Sequence, residues 1–202
     1  MTEFLVNGEP LSFAEWPKIP RLSREIVITE KIDGTNAQVI IDDNCEQVAA
    51  ASRSRLVTPE DDNYGFAGWV QRNKDELLKL GPGRHFGEWW GAGIQRKYGI
   101  QEKRFSLFNT GRWHSDMNVT AHSTTQTVCH EVPVCHVVPV LHLGEFTDIA
   151  VHQALKMLQE HGSYAANKFN DPEGIVVYHS ASKTHFKKTI KGDDQPKGNA
   201  NA

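Results

Sequence analysis

The chain has 202 residues, 39% hydrophobic and 23% charged, which suits one globular domain with a sizeable core and is too short for two full-sized ones. A formal net charge of -3 excludes a global positive field, so any contact with nucleic acid must come from a local basic patch. Three cysteines (Cys45, Cys129, Cys135) and no apparent signal peptide fit thiols in a reducing cytoplasm, and no apolar run approaches the roughly 18 residues of a membrane span.

In chain order, residues 25–30 (EIVITE) and 36–42 (NAQVIID) are β-branched and partly alternating. With Asp33-Gly34 between them they read as a strand-turn-strand unit with Lys31 at its edge. A third strand over 46–52 delivers Ser52-Arg53-Ser54-Arg55 at its end. Residues 63–80 carry Phe66, Trp69, Val70, Leu77 and Leu78 as an amphipathic helix would, stopped by Gly81-Pro82-Gly83. Strands follow at 84–90 (RHFGEWW) and at KRFSLFN, then a polar loop from about 109 to 127. Residues 128–143 predict one or two strands broken near Pro133 and Pro139. Residues 148–161 form the clearest helix, with Asp148 at its N-cap and Gly162 just past its end. EGIVVYH and THFKKTI read as two last strands, and the polar tail from Gly192 is expected to be mobile. No internal repeat is present.

The polar residues at these strand ends are Lys31, Asp33, Arg53, Glu88, Glu173, Lys187 and Lys188. Cations suit phosphate oxygens and carboxylates suit a hard cation such as Mg²⁺, so together they fit a triphosphate and its metal. Each alone has a plainer reading: a solvated turn lysine, a paired strand carboxylate, a charged edge strand. The segment CHEVPVCHVVPVLH lacks a C-x-x-C pair, and alternation puts adjacent Cys and His on opposite faces, so buried thiols are favoured over a zinc site. Arg96, Lys97, Lys103, Arg104 and Arg112, interleaved with Tyr98, Phe105 and Trp113, are a plausible nucleic-acid footprint or an ordinary solvated face.

The order of Lys31-Ile32-Asp33-Gly34, Ser52-Arg53, Phe86-Gly87-Glu88, Phe105-Ser106-Leu107-Phe108, Glu173-Gly174-Ile175-Val176-Val177 and Phe186-Lys187-Lys188 resembles the signature motifs of the covalent nucleotidyltransferases. These comprise ATP-dependent RNA ligases, DNA ligases and mRNA capping enzymes. FGEWWGAGIQRKYG and GS…PEGIVV look most like the phage-type RNA ligase branch, and the resemblance spans about residues 26 to 190.

The resemblance implies an α+β nucleotidyltransferase fold, two twisted and mainly antiparallel sheets with flanking helices, over residues 1–191, with a short tail at 192–202 and no OB domain. It implies an ATP-dependent RNA ligase in which Lys31 takes AMP from ATP, passes it to a 5′-phosphate RNA end and allows a 3′-hydroxyl to seal the strand. A small DNA ligase or a non-sealing nucleotide- or RNA-binding module are the alternatives. Glu88 resembles the carboxylate near sugar and metal, Glu173 the one that orients the metal, and Phe108 the ring that stacks on adenine. Glu30, Ile32, Asp33 and Asn36 accompany Lys31 at the nucleotide, together with Arg53, Lys187 and Lys188. Arg55, Arg96 and Lys97 are expected on RNA. Mg²⁺, with Mn²⁺ as a substitute, is the implied metal, and a protein partner could add RNA-binding surface. An unperturbed lysine amine (pKa about 10.4) is almost wholly protonated at neutral pH, so a nucleophilic lysine must be discharged, at a cost of about 4–5 kcal/mol unless nearby cations help. Adjacent strand residues face opposite sides, and the resemblance favours Lys187 for the phosphates, because the family usually spaces its lysine pair by one residue and His185 or Thr189 stands in the partner position here.

Overall fold

The computed structural model describes residues 4–113 and 128–192, so most of the expected 109–127 loop and the tail beyond Gly192 lie outside the described residues. A small hairpin, β1 (Leu5–Val6) with β2 (Glu9–Pro10), precedes the main body. Then come β3 (Glu25–Lys31), β4 (Thr35–Ile41), β5 (Val48–Ser52) and β6 (Leu56–Val57). Helices α1 (Phe66–Arg72) and α2 (Lys74–Leu77) and a 3-10 turn at Leu78–Leu80 lead into β7 (Gly83–Gly91) and β8 (Lys103–Leu107). The chain continues through α3 (Thr110–Trp113), β9 (His136–Val137), β10 (Val140–Glu145), α4 (Asp148–His161), β11 (Gly174–His179) and β12 (Thr184–Thr189).

Two main sheets result, one in the order β10-β3-β11-β12 and one in the order β6-β5-β4-β7-β8-β9. All pairings within them are antiparallel except β8 with β9, giving an α+β fold of the expected kind. The strand-turn-strand expectation needs correction: β3 and β4 do not pair with each other. β3 is bonded to β10 and β11, while β4 is bonded to β5 and β7, so residues 32–34 carry the chain from one sheet into the other. A second crossing lies at Val138-Pro139, between β9 and β10. Because proline has no ladder donor, the strand expected there is split between the two sheets. The crossings are tied together, since Glu30 N donates to Pro139 O at 2.9 Å.

Each sheet has its own core. The six-stranded sheet packs Val39, Trp89, Phe105 and Leu107 against Phe66 and Val70 of α1, and the four-stranded sheet packs Ile26, Ile28, Ile175 and Val177 against Ala154, Leu155 and Leu158 of α4. A third cluster of Ile32, Trp90, Tyr98, Val138, Ala165 and Ala166 fills the junction between them. Two local expectations shift. The helix over 63–80 is interrupted at Asn73, whose amide Nδ2 donates back to Trp69 O at 2.8 Å, and Thr147 rather than Asp148 caps α4, its hydroxyl accepting from Ala150 N at 3.0 Å.

Glu30 belongs to this framework. Its carboxylate accepts from Ser163 Oγ at 2.6 Å, Tyr164 N at 2.8 Å and Ala165 N at 3.0 Å, in the turn after α4. Burial pushes the acid up to about 7 despite those donors. Removing the acceptor strands three donors, so Glu30→Ala is expected to cost roughly 2–3 kcal/mol in urea denaturation, and Glu30→Gln, which can still accept from both amides, less than about 1 kcal/mol. Equal losses in the two variants would contradict this role.

Candidate active site

Lys31 ends β3 where the two sheets meet. Its Nζ lies 2.6 Å from Glu173 Oε2, with the lysine partly exposed and the glutamate buried. Glu173 stands just before β11, where Gly174 pairs with Lys31 on one side and Thr189 on the other. Gly174 has φ +154°, and a Cβ there would come within 2.2 Å of Lys188 O, so only glycine lets β11 begin this close to β12.

Glu88 arrives from the other sheet. Gly34 N donates to its Oε1 at 3.1 Å and Asn36 Nδ2 to its Oε2 at 3.0 Å. Gly34 is squeezed as well: a Cβ would fall 2.5 Å from Trp89 O and 2.7 Å from Trp90 Cβ, so the crossing requires a residue without a side chain. Burial, offset in part by Lys31, pushes Glu88 up to about 7, and Glu173 adds to the rise. One amine and two buried carboxylates from different sheets therefore share a small volume. Two hard oxygen donors this close together fit a divalent ion that completes its shell with further oxygen ligands and water. Among the described residues no group of three or more His, Cys, Asp or Glu is placed to hold a metal by itself.

The turn is braced from below. Asp33 N donates to Tyr98 Oη at 2.8 Å, and Arg96 Nε donates to Asp33 Oδ2 at 3.0 Å while its Nη1 reaches Asp171 Oδ2 at 2.7 Å. Ile32 is buried in the junction cluster. Of the residues expected at the nucleotide, Lys31, Glu88 and Glu173 come together. Asn36 orients Glu88, and Asp33 and Ile32 anchor the turn. The Glu30 side chain does not join them: it faces the α4 side, where it is bonded to the turn after α4.

Register separates the two late lysines. Lys187 is paired with Val176, which is paired with Thr29, two residues from Lys31 and on the same face. Lys188 is paired with Ile175, itself opposite Glu30, and takes the other face. Phe108 is 41% exposed at the end of β8, and Arg53 is exposed one residue beyond Ser52, the partner of Ala37 next to Asn36.

Most cations of the expected basic footprint have partners within the fold. Arg55 is held by both Asp61 oxygens, at 2.6 and 3.0 Å, and Arg96 is the brace just described. Lys103 donates to Tyr64 O, Arg104 pairs with Glu102, and Arg112 lies 4.3 Å over the Trp113 ring and donates to Leu80 O. These cations are engaged within the fold. Lys97 is exposed in the loop after Ile94. Cys129 and Cys135 are buried thiols, as alternation implied. A surface hollow of about 260 Å³ lined by Ser23, Arg24, Glu25, Gly144 and Glu145 sits at the opposite end of β3 and holds none of the site groups. Sequence reasoning missed the bracing roles of Tyr98 and Asp171. Tyr98 stood in the quoted GIQRKYG segment, but nothing local links it to Asp33, 65 residues earlier.

The family model described as RNA ligase matches residues 24–191. Solved structures of Naegleria gruberi RNA ligase share the fold. A lysine-to-methionine mutant with AMP and Mn superposes with a TM-score of 0.53 at 20% identity, over 83% of this chain and 50% of that one. A glutamate-to-alanine mutant with ATP and Mn gives 0.54 at 18% identity, over 85% and 51%. An apo aspartate-to-alanine mutant gives 0.54 at 19%, over 83% and 50%. The chain thus spans about half the length of these structures. No curated protein matches it.

The raised Glu88 acid sets a pH dependence. Below about pH 7 a cation must displace its proton, so Mn²⁺ affinity is expected to rise up to about tenfold per pH unit toward 7 and flatten above it. Calorimetric titration of wild type and Glu88→Gln checks this: the variant should bind more weakly and lose that slope, and an unchanged slope would show that Glu88 is not a ligand.

Proposed function

The chain belongs to the RNA ligase family, and from that premise we propose that it forms a covalent lysyl-AMP on Lys31 from ATP and uses it to seal RNA ends. The observation that carries the reading is the amine of Lys31 standing against Glu173, with Glu88 beside it, at the junction of the two sheets.

The lone pair of Lys31 Nζ attacks the α-phosphorus of ATP, a phosphorus–nitrogen bond forms, and pyrophosphate leaves with the electrons of the broken phosphorus–oxygen bond. An ammonium ion-paired to a carboxylate has no lone pair, so Glu173 must release the amine as substrate enters and the proton must depart. Glu173 and Glu88 are the groups that would hold a divalent cation, Mg²⁺ or Mn²⁺, which supplies charge neutralisation for the phosphates. Lys187, on the Lys31 face, meets phosphate oxygens, and the Phe108 ring offers its face to the adenine. Oxygen of an RNA 5′-phosphate then takes the AMP from Lys31, restoring the amine. A 3′-hydroxyl attacks the activated 5′-phosphate, closing the phosphodiester and releasing AMP.

Incubation with α-labelled ATP and Mg²⁺ or Mn²⁺, followed by a denaturing gel, is expected to leave label on the wild-type chain and none on Lys31→Ala. An unlabelled wild-type chain would overturn the reading in favour of a non-sealing binding module. By the register of β12, Lys187→Ala should slow labelling about 10- to 100-fold, the range of a lost charge-assisted hydrogen bond, and Lys188→Ala less than about threefold. The reverse order would contradict the assignment of faces.

A further inference from the structure

The six-stranded sheet has one face packed on α1 and a second that leads away from Glu88. Register fixes what stands on that second face. Leu56 is paired with Ala51, Ala51 with Gln38 and Gln38 with Phe86, and Phe108 N donates to Phe86 O at 3.0 Å, so these residues form one line across the sheet. The neighbouring line is Asn36, Glu88 and Ser106, and the line beyond on the other side is Ala49, Ile40 and Arg84. Same-face lines are about 7 Å apart, which places Phe86 one step from the carboxylate of the site.

Phe86 sits on β7, an interior strand between β4 and β8, yet it is 50% exposed, and Leu56 on the same line is 66% exposed. A large ring on an interior strand is ordinarily covered by a packed layer. Here no described element lies over it, while the opposite face is sealed by Phe66 and Trp69 of α1. Two guanidinium groups flank the ring. Arg84 lies one line out, its Nη1 donating to Gln38 Oε1 at 3.3 Å, and Arg53 lies toward Asn36. On these three lines Glu88 is the sole carboxylate among the described residues.

Resting on the ligase reading above, we propose that this open face is the track for the RNA strand next to the reacting end, with a base stacked on Phe86 and a backbone phosphate on Arg84. An exposed ring on a sheet face with guanidinium groups at its margin is the chemistry that holds single-stranded nucleic acid without reading sequence, because every base has a flat face. Continuity with the Lys31 site selects RNA over a protein partner: the line of Phe86 adjoins that of Glu88 on the same face, so a strand laid along it ends at the site. The surface also replaces Arg55 and Arg96, whose guanidinium groups are engaged elsewhere.

The test uses the full chain and a 5′-phosphorylated single-stranded RNA of roughly twelve nucleotides, within the usual reach of such a groove. Phe86→Ala is expected to form lysyl-AMP at the wild-type rate and to bind the RNA about 5- to 150-fold more weakly, the range for one lost base stack, with Phe86→Tyr restoring affinity. Arg84→Gln should lower the slope of log affinity against log salt by about 0.7, as for one phosphate contact on a single strand. Unchanged RNA affinity and salt slope in these variants would overturn the proposal. So would loss of lysyl-AMP formation in Phe86→Ala regained in Phe86→Tyr, which would place the ring in the nucleotide site. A change in oligomeric state with RNA affinity intact would make the face a protein contact and also overturn it. A wild-type chain that never takes label fails the ligase reading instead, and its RNA affinity still reads this face.

Discussion

Three residues, Ile32, Asp33 and Gly34, carry the chain from one sheet into the other, and the site exists because of that crossing. A lysine at the end of β3 and a glutamate in the middle of β7 belong to separate hydrogen-bonded ladders, so strand pairing alone would not bring them together. Gly34 does so. Its N–H holds Glu88 while its missing side chain leaves room for the backbone of Trp89 and the Cβ of Trp90. Ile32 locks one side of the turn into the junction cluster, and Asp33 is fixed by Tyr98 and Arg96. The geometry of the reactive amine is thus inherited from packing beneath it, on rigid strands rather than a free loop.

The electrostatics follow from the same arrangement. Burial is what raises the Glu88 acid, with Lys31 offsetting part of the rise and the neighbouring Glu173 adding to it. The closed ion pair of Lys31 with Glu173 keeps the amine oriented but unreactive. In the proposed reaction a polyphosphate and its cation would change that balance by giving the carboxylates a new partner and leaving the amine facing phosphorus. On that proposal the ion pair with Glu173 and the reactive contact are mutually exclusive, which would keep the amine idle until its substrate is in place. Glu30, the next residue back, has similar burial but a different task, because strand alternation turns it to the α4 side, where its oxygens hold the turn at Ser163–Ala165.

Much of this was readable from the residues. The strands around Lys31, the FGEWW strand, helix α4 and the two final strands stand close to where alternation and capping place them, because each buries a face with the period of its element. Asp33-Gly34 predicts a tight turn between paired strands, whereas the glycine is needed for close approach to β7 and the strands part company. Local signals do not distinguish a hairpin from a crossing, since both need a bend and differ in partners more than 50 residues away. The same limit hid the bracing of Asp33 by Tyr98 and of Arg96 by Asp171. Nor do local signals show that most cations of the Arg96–Arg112 cluster bond to carbonyls, rings and acids within the fold. Alternation separates Lys187 from Lys188, and the register of β12 puts Lys187 on the face of Lys31.

The central claim is that the amine at the sheet junction becomes bonded to phosphorus. Proteolysis of the ATP-treated chain followed by mass mapping of the peptides tests it directly. AMP on the peptide that contains Lys31, with cleavage after that lysine blocked, is the expected result. AMP on Lys187, Lys188 or any other residue would contradict a nucleophile at position 31.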